Sequence, residues 1–488
     1  MIPRNAGAFP AFEGDRDKIA IIDLGGEAAP RHISYAALDA EANGVARALA
    51  MRGFAQGERI ALLSANRAEV LAAFFGILRA GLVAVPVNHR FPRATIDLIL
   101  RDCGARLVFC DARRAADCPA DLETVIFGAP YERFRDPGDM APTEPRPDEP
   151  ALFLYTSGST GRPKGVVLSH QGQNWVVAMR MAAGGDLSRH RYLIAAPLYH
   201  MNALALSQLV VAARATIVLM PQFEARGYIE AAAAWRATFL TAVPPMMAMM
   251  LREADLLGAR DLSAVEAVRM GSAPVSASLM ASLKRALPQA AVTNAYGTTE
   301  AGPVVFGPHP KGLKQPEMSV GYPHPQVQLR LRDGVLEMKC PALMLGYHNR
   351  PELHPFTEDG YYVTGDVFRR DEDGFYYFLG RNDDMFVSGG ENIYPGDVER
   401  MLERHPDVAQ ALVVPIEDEI KAWKPVAFIV PKPGRAPSEG DIKSFALANA
   451  PAYQHPRFVF FLERLPLAST DKVDRAALVR LAAERIAR

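Results

Sequence analysis

Residues Tyr155 to Gly165 read Tyr-Thr-Ser-Gly-Ser-Thr-Gly-Arg-Pro-Lys-Gly. An apolar run, Ala151 to Tyr155, leads in and reads as a buried strand. A second run, Val166 to Leu168, leads out, and Ser169 is placed to cap a following helix. Glycines let the backbone take positive φ, so successive N–H groups can point into one concavity. The hydroxyls of Thr156, Ser157, Ser159 and Thr160 add donors beside Gly158 and Gly161, and Lys164 adds a point charge. Gly/Ser/Thr clusters alone are usually polar surface loops. The strand-loop-strand setting and the terminal lysine favour a polyphosphate cradle instead. The nucleoside-triphosphatase P-loop would need Gly-Lys-Ser/Thr with a helix directly after, whereas Pro163 and Gly165 flank Lys164.

The loop resembles the signature of the adenylate-forming superfamily, which holds acyl- and aryl-CoA synthetases, luciferases and peptide-synthetase adenylation domains. Length and composition agree. At 488 residues the chain needs about two to four domains or subdomains. Hydrophobic content of 49%, charged content of 22% and a net charge of −1 give no reason to expect nucleic acid or an anionic membrane as partner. Cys103, Cys110, Cys118 and Cys340 fit no zinc spacing, which makes a reducing, cytoplasmic setting the default. Met1 to Lys18, broken by Pro3, Pro10 and several charges, lacks the apolar core expected of a signal peptide. The greasiest stretch, Ala231 to Leu251, is broken by Arg236, Pro244 and Pro245, so no membrane span is expected.

Along the chain, residues 33–111 and 166–300 alternate helical and strand periodicities, which predicts parallel-type sheets flanked by helices. Asn66 is expected to cap a helix carrying Val70, Phe74 and Leu78. Residues 317–380 read as a small β subdomain of short runs and turns. The expected fold class is α/β: an N-terminal domain, 1–380, a hinge at 381–383, and a mobile α+β C-terminal cap, 384–488.

Further motifs follow in the order of the family, from about residue 33 to the end. The resemblance implies that Asp366, in Tyr361-Tyr362-Val363-Thr364-Gly365-Asp366, accepts from the ribose hydroxyls with Arg381 beside it, and that Asp383 is the hinge. It implies that Asn294 and Tyr296 recognise adenine, with Gly271, Ser272 and Ala273 opposite, within a nucleotide set that also includes Gly297, Thr298 and Thr299. Glu300 would hold Mg²⁺ between phosphates, assisted by Thr160. Lys472, in Thr470-Asp471-Lys472-Val473, matches the C-terminal lysine that catalyses adenylation. The family usually has Gly where Asp471 stands. Ser388-Gly389-Gly390 resembles the loop along the pantetheine tunnel, and Trp423, Tyr453, His455 and Arg457 fall where aryl-CoA ligases meet the CoA nucleotide.

For the acid, His200 in Pro197-Leu198-Tyr199-His200 resembles the aromatic gate. Amino-acid-activating domains carry an Asp near here, and 197–205 has none. Malonate-type ligases place an Arg directly before the tyrosine of the adenine loop. Ala295 stands there, which leaves a second carboxylate without that partner. Acetate-type enzymes close the pocket with a Trp where Gly297 leaves space. Met201, Asn202, Ala273, Ala295, Gly297 and Gly302 would line an apolar slot with His200. The resemblance is nearest to halobenzoate-type aryl-CoA ligases. It implies an ATP-dependent acid–CoA ligase for an aromatic or medium-size apolar acid, using ATP, Mg²⁺ and coenzyme A, as monomer or homodimer. A carrier-loading enzyme acting in trans and an inactive nucleotide-binding protein are the rival readings.

Overall fold

A computed structural model describes residues 3–486 except 12, 26–28, 147, 158–162, 184, 389–390, 419–421 and 469–471. The glycine-rich stretch closes an antiparallel pair, Pro150–Ser157 with Pro163–Ser169, in which Thr156 lies opposite Lys164. Ser169 accepts from the Gly172 N–H at 3.1 Å, so the expected cap is made and the helix His170–Ala183 follows. This hairpin joins a seven-stranded sheet. Parallel strands Val83–Pro86, Arg59–Leu63, Ala105–Cys110 and Glu123–Ile126 run beyond it, and Gly346–Tyr347 lies on its other edge.

A second seven-stranded sheet runs Ala291–Asn294, Ala267–Met270, Phe239–Ala242, Arg191–Ile194, Thr216–Leu219, Ile19–Asp23, Arg31–Ser34. Its pairs are parallel except the last. Parallel strands need helical crossovers, and those helices bury both faces. The helix Ala68–Arg79 is buried along its whole length, as expected for a segment apolar on every side. Its start differs from the sequence expectation. Arg67 is the N-cap, and Asn66 instead donates to the carbonyls of Ala196 and Met220 and accepts from the Leu198 N–H at 2.8 Å. A buried amide that can satisfy three backbone groups of a neighbouring sheet is worth more there than at a helix end.

At the other end of that helix, Arg79 is 1% exposed. It donates to the Gly7 carbonyl at 2.9 Å and pairs with Asp39 at 2.9 Å. Removing one partner of a buried pair strands the other charge. Arg79→Met is therefore expected to cost about 3 kcal/mol, read as a lowered denaturation midpoint. Arg79→Met with Asp39→Leu should recover part of the loss.

Strands Gln328–Arg332, Val335–Lys339, Tyr362–Arg370 and Tyr376–Arg381 make a four-stranded antiparallel sheet. The next sheet draws only on residues 386–461: Glu391–Ile393, Phe386–Ser388, Ala422–Pro431 and Val408–Asp418, with Phe458–Phe461 parallel to Ala422–Pro431. Helices Pro395–Leu402, Glu439–Asn449 and Arg475–Ile486 accompany it. Among the described residues, no helix is long and apolar enough to cross a membrane.

Candidate active site

In parallel α/β sheets the strand ends release loops that gather around one crevice. Here Pro197–His200, Gly271–Pro274 and Asn294–Glu300 leave the carboxyl ends of three strands. Together with the phosphate hairpin, the four-stranded sheet and Lys472 they enclose a cavity of about 1530 Å³.

One wall is built on Asp366. It is 6% exposed and accepts from the Tyr296 phenol and from Arg381 Nη1, the latter at 3.2 Å. Arg381 Nη2 also donates to Asp383 at 2.8 Å. Burial pushes the Asp366 carboxyl up to about 6, while Arg381 and Tyr296 pull the other way. Tyr296 is fixed edge-on against Phe368, centroids 4.9 Å apart. Gly365 has φ +71°, and a Cβ there would meet Arg381 at 3.1 Å and Asp383 at 3.3 Å, so glycine keeps this corner open.

A second wall carries the cations and Glu300. Lys164 Nζ donates to the Tyr347 hydroxyl at 2.8 Å, and that hydroxyl donates to Glu300 Oε1 at 2.9 Å. Lys164 stands 3.8 Å from the same carboxylate and 4.1 Å from the Tyr347 ring centroid. Burial lowers the Lys164 pKa, and Glu300 offsets part of that. Thr156 Oγ1 is buried with no hydrogen-bond partner among the described residues, and Thr156 lines the cavity. A buried orphan hydroxyl at the mouth of a glycine-rich loop fits a missing acceptor such as a phosphate oxygen. One protein carboxylate with phosphate and water completing the shell is the habit of Mg²⁺, and Glu300 fits that role. The candidate residues Gly158, Ser159, Thr160 and Gly161 lie outside the described residues.

The loop residue Ser272 has φ +66°, uncommon for a residue with a side chain. Gly271, Ser272, Ala273, Asn294, Tyr296 and Thr299 all reach the cavity. Thr298 also lines it, but its hydroxyl accepts from the Ala301 N–H at 3.0 Å and shapes the turn.

Lys472 enters from the C-terminal domain. Its side chain is exposed, but into the cavity, whose walls remove bulk water and lower its pKa. Asp366 and Glu300 oppose that lowering. His200 faces the same space with a buried, unpartnered Nε2. Burial, then the charges of Lys472 and Arg90, push it down to about 3, so the imidazole is neutral at working pH.

The acid pocket departs from expectation in three ways. Gly297 lines the cavity, but a Cβ there would strike Pro303 Cα at 2.8 Å and Gly302 O at 2.9 Å. Its missing side chain closes the loop on itself rather than widening the pocket. Gly302 does not line the cavity. Its φ is +73°, and a Cβ would meet Val176 at 3.1 Å. Nor are its surroundings wholly apolar: the cavity lined by His200, Met201, Asn202, Ala273 and Ala295 is lined also by Arg180 and Arg269. Neither arginine, nor Tyr347, was singled out in the sequence, because each stands alone in an ordinary helix or strand pattern.

The residues expected to serve CoA lie elsewhere. Ser388 pairs in register with Ala422, next to half-buried Trp423, and Trp423 and Tyr453 pack on the C-terminal core. Arg457 Nη1 and His455 Nδ1 are 3.5 Å apart, and the Arg457 N–H donates to the Pro425 carbonyl. None of these five lines the cavity. Gly389 and Gly390 lie outside the described residues.

A fold of this order, with a carboxylate, a phosphate-loop lysine and a second lysine delivered by the C-terminal domain, defines an adenylate-forming ligase. Residues 10–347 match the AMP-binding enzyme family and residues 397–472 the AMP-binding enzyme C-terminal domain. The chain belongs to that family, whose CoA ligases are acid–thiol ligases using ATP, Mg²⁺ and coenzyme A. It is 31% identical over 484 residues to the indoleacetate–CoA ligase of Aromatoleum aromaticum, covering 93% of this chain and 94% of that protein. It is equally 31% identical to the fatty acid–[acyl-carrier-protein] ligase ScoC of Streptomyces coeruleorubidus, over 92% and 91% of the two chains. The solved anthranilate CoA ligase AuaEII, in complex with anthranoyl-AMP, superposes with a TM-score of 0.87 at 26% identity over 99% of both chains.

Proposed function

We propose that this protein is an ATP-dependent carboxylic acid–CoA ligase that works through an acyl-adenylate on an acid with an aromatic or medium-size apolar skeleton. The observation that supports it most is that His200, Glu300, Asp366 and Lys472 line one cavity although they are spread widely along the chain. In the first half-reaction an acid oxygen attacks the α-phosphorus of ATP, a C–O–P link forms, and pyrophosphate leaves with the electron pair of the broken P–O bond. Two anions meet in that step and charge builds on the equatorial oxygens. Lys472 lies where it can bridge acid and phosphate, Lys164 and the loop hydroxyls hold the phosphate tail, and Asp366 with Arg381 fixes the ribose. Magnesium held by Glu300, with Thr160 as the second protein oxygen, would supply charge neutralisation between the phosphates. Neutral His200 separates the acid pocket from solvent without competing for its carboxylate.

In the second half-reaction the CoA thiol attacks the acyl carbon, its proton is lost, and AMP departs. The domain division at 381–383 serves this step: a turn about Asp383 would withdraw Lys472 and bring the Ser388–Gly390 face, with Trp423, Tyr453, His455 and Arg457, to the cavity. The kinship with a carrier-protein ligase supports a second reading, loading of a carrier in trans. The protein is read as cytoplasmic and as a monomer or homodimer.

The test is release of AMP and pyrophosphate across benzoates, cinnamates and C4 to C10 acids, followed by addition of CoA alone. Acid-dependent AMP with acyl-CoA formation is expected. AMP without thioester moves the acceptor to a carrier. No cleavage of ATP with any acid overturns the reading.

A further inference from the structure

Strands Phe239–Ala242, Ala267–Met270 and Ala291–Asn294 are parallel and in register, with Thr241 opposite Arg269 and Arg269 opposite Thr293. Partners in register on neighbouring parallel strands share a face. Phe239, Thr241 and Arg269 all line the cavity, so this face is its floor, while Leu240, Val268 and Met270 on the other face pack into a separate core. Gly271, two residues beyond Arg269 and about 7 Å farther along the strand, opens the nucleotide loop. Arg269 therefore stands one layer beneath the nucleotide end. Arg180 comes from the last turn of the helix His170–Ala183 and lines the same cavity.

Among the described residues, neither guanidinium donates a hydrogen bond or pairs with a carboxylate. Burial, then the charge of Arg269, push Arg180 down to about 9, against a small opposing effect of the Tyr192 phenol. Burial likewise lowers Arg269. Two unpaired like charges enclosed together are costly, and a planar anion that accepts from both forks relieves that cost. Lys472, which on the ligase reading meets the acid's reacting carboxylate, has Asp366, Arg381 and Glu300 as its charged company and neither of these arginines. A polar seat this deep is filled by another part of the same substrate.

Resting on the ligase reading, we propose that Arg180 and Arg269 form an anion seat at the sheet end of the acid pocket, and that the substrate is a diacid: an apolar or aromatic body with a second carboxylate remote from the one activated. The cation that Ala295 lacks is supplied from a helix and a strand instead.

The experiment compares each diacid with its own monomethyl ester, in straight-chain α,ω-diacids from C4 to C10 and in the benzenedicarboxylates. AMP release is followed with the wild-type chain, Arg180→Met, Arg269→Met and the Arg→Lys counterparts. For at least one skeleton, kcat/KM should favour the diacid by about tenfold or more, as expected for a charge-assisted bidentate contact. Either Met variant should erase most of that ratio through KM, and Lys should restore part of it. Both substrates share the fold, so the ratio is insensitive to general destabilisation. An ester equal to its diacid on every skeleton, or a ratio unmoved in both Met variants, overturns the proposal and leaves the ligase reading intact. Calorimetric titration of the same diacids without ATP separates the two claims. Arginine-dependent diacid binding with no AMP formed keeps the seat and removes the ligase, and absence of both removes both.

Discussion

Lys472→Ala slows acyl-adenylate formation by about 10²- to 10³-fold while thioester formation from supplied acyl-adenylate stays within about threefold of wild type. That is the expected result if Lys472 acts only where charge builds on phosphorus. The amine reaches the cavity beside Asp366, Glu300 and His200, and it is the contribution of the C-terminal domain to that group. Once the adenylate exists, pyrophosphate has gone, and the remaining step transfers an acyl group to sulfur without a new phosphate charge. Pyrophosphate release measures the first half-reaction, and acyl-CoA from synthetic adenylate measures the second. Equal loss in both would show that Lys472 supports the fold or the common pocket, and the division of labour between two domain positions would fall with it.

Asp366→Ala is expected to lower kcat/KM for ATP by about 10²-fold, with most of the change in KM. The carboxylate receives Arg381 and the Tyr296 phenol, so its removal strands both and deletes the proposed acceptor for the ribose diol. Leaving a buried donor unsatisfied costs about 1–3 kcal/mol, and a charged one more, which gives the tenfold-to-hundredfold scale. The pH profile separates this from loss of structure. Burial raises the Asp366 carboxyl to about 6, so the ionised form, which the diol needs, is lost as pH falls through that value. kcat/KM for ATP should therefore decline below about pH 6, approaching tenfold per unit, and the same inflection should be missing in Asp366→Asn. A wild-type profile flat down to pH 5 would contradict the assignment. His200, pushed down to about 3, contributes no inflection in that range.

The parts of the site that were legible in the sequence are those made by contiguous backbone. The strands flanking the glycine-rich stretch are written as apolar runs, and a strand that delivers Asp366 after a positive-φ Gly365 writes its own Thr-Gly-Asp. Alternating periodicities likewise gave the two mixed sheets, since parallel strands must be apolar and separated by helices. What escaped was assembled across the chain. Arg180 at the end of a helix looks like a cation complementing the helix dipole, and Arg269 looks like a polar interruption of a strand. Only the register of three strands, and a helix packed on the hairpin of the other sheet, bring the two arginines to one cavity. Tyr347 follows the same logic, since the edge pairing of Gly346–Tyr347 with Val166–Val167 sets it between Lys164 and Glu300. Asn66 and Gly297 were misread for a related reason. Each has an ordinary local meaning, a cap and a gap, and each is claimed instead by backbone from a distant or folded-back segment.

The C-terminal domain meets the rest of the molecule through polar touches such as Ser278 Oγ donating to the Ala409 carbonyl at 3.0 Å and Arg252 donating to the Glu463 carbonyl. Contacts of this kind, partly open to water, are easily exchanged for hydration, so on the proposed turn about Asp383 neither posture of the domain would have a deep well of its own. On that proposal, whichever small molecule occupies the cleft would decide the posture. A ligand that prefers one of two nearly isoenergetic arrangements by only about 1.4 kcal/mol already tips their ratio tenfold. If the domain turns as proposed, chemical progress itself, from triphosphate to adenylate to AMP, would be the clock that tells it when.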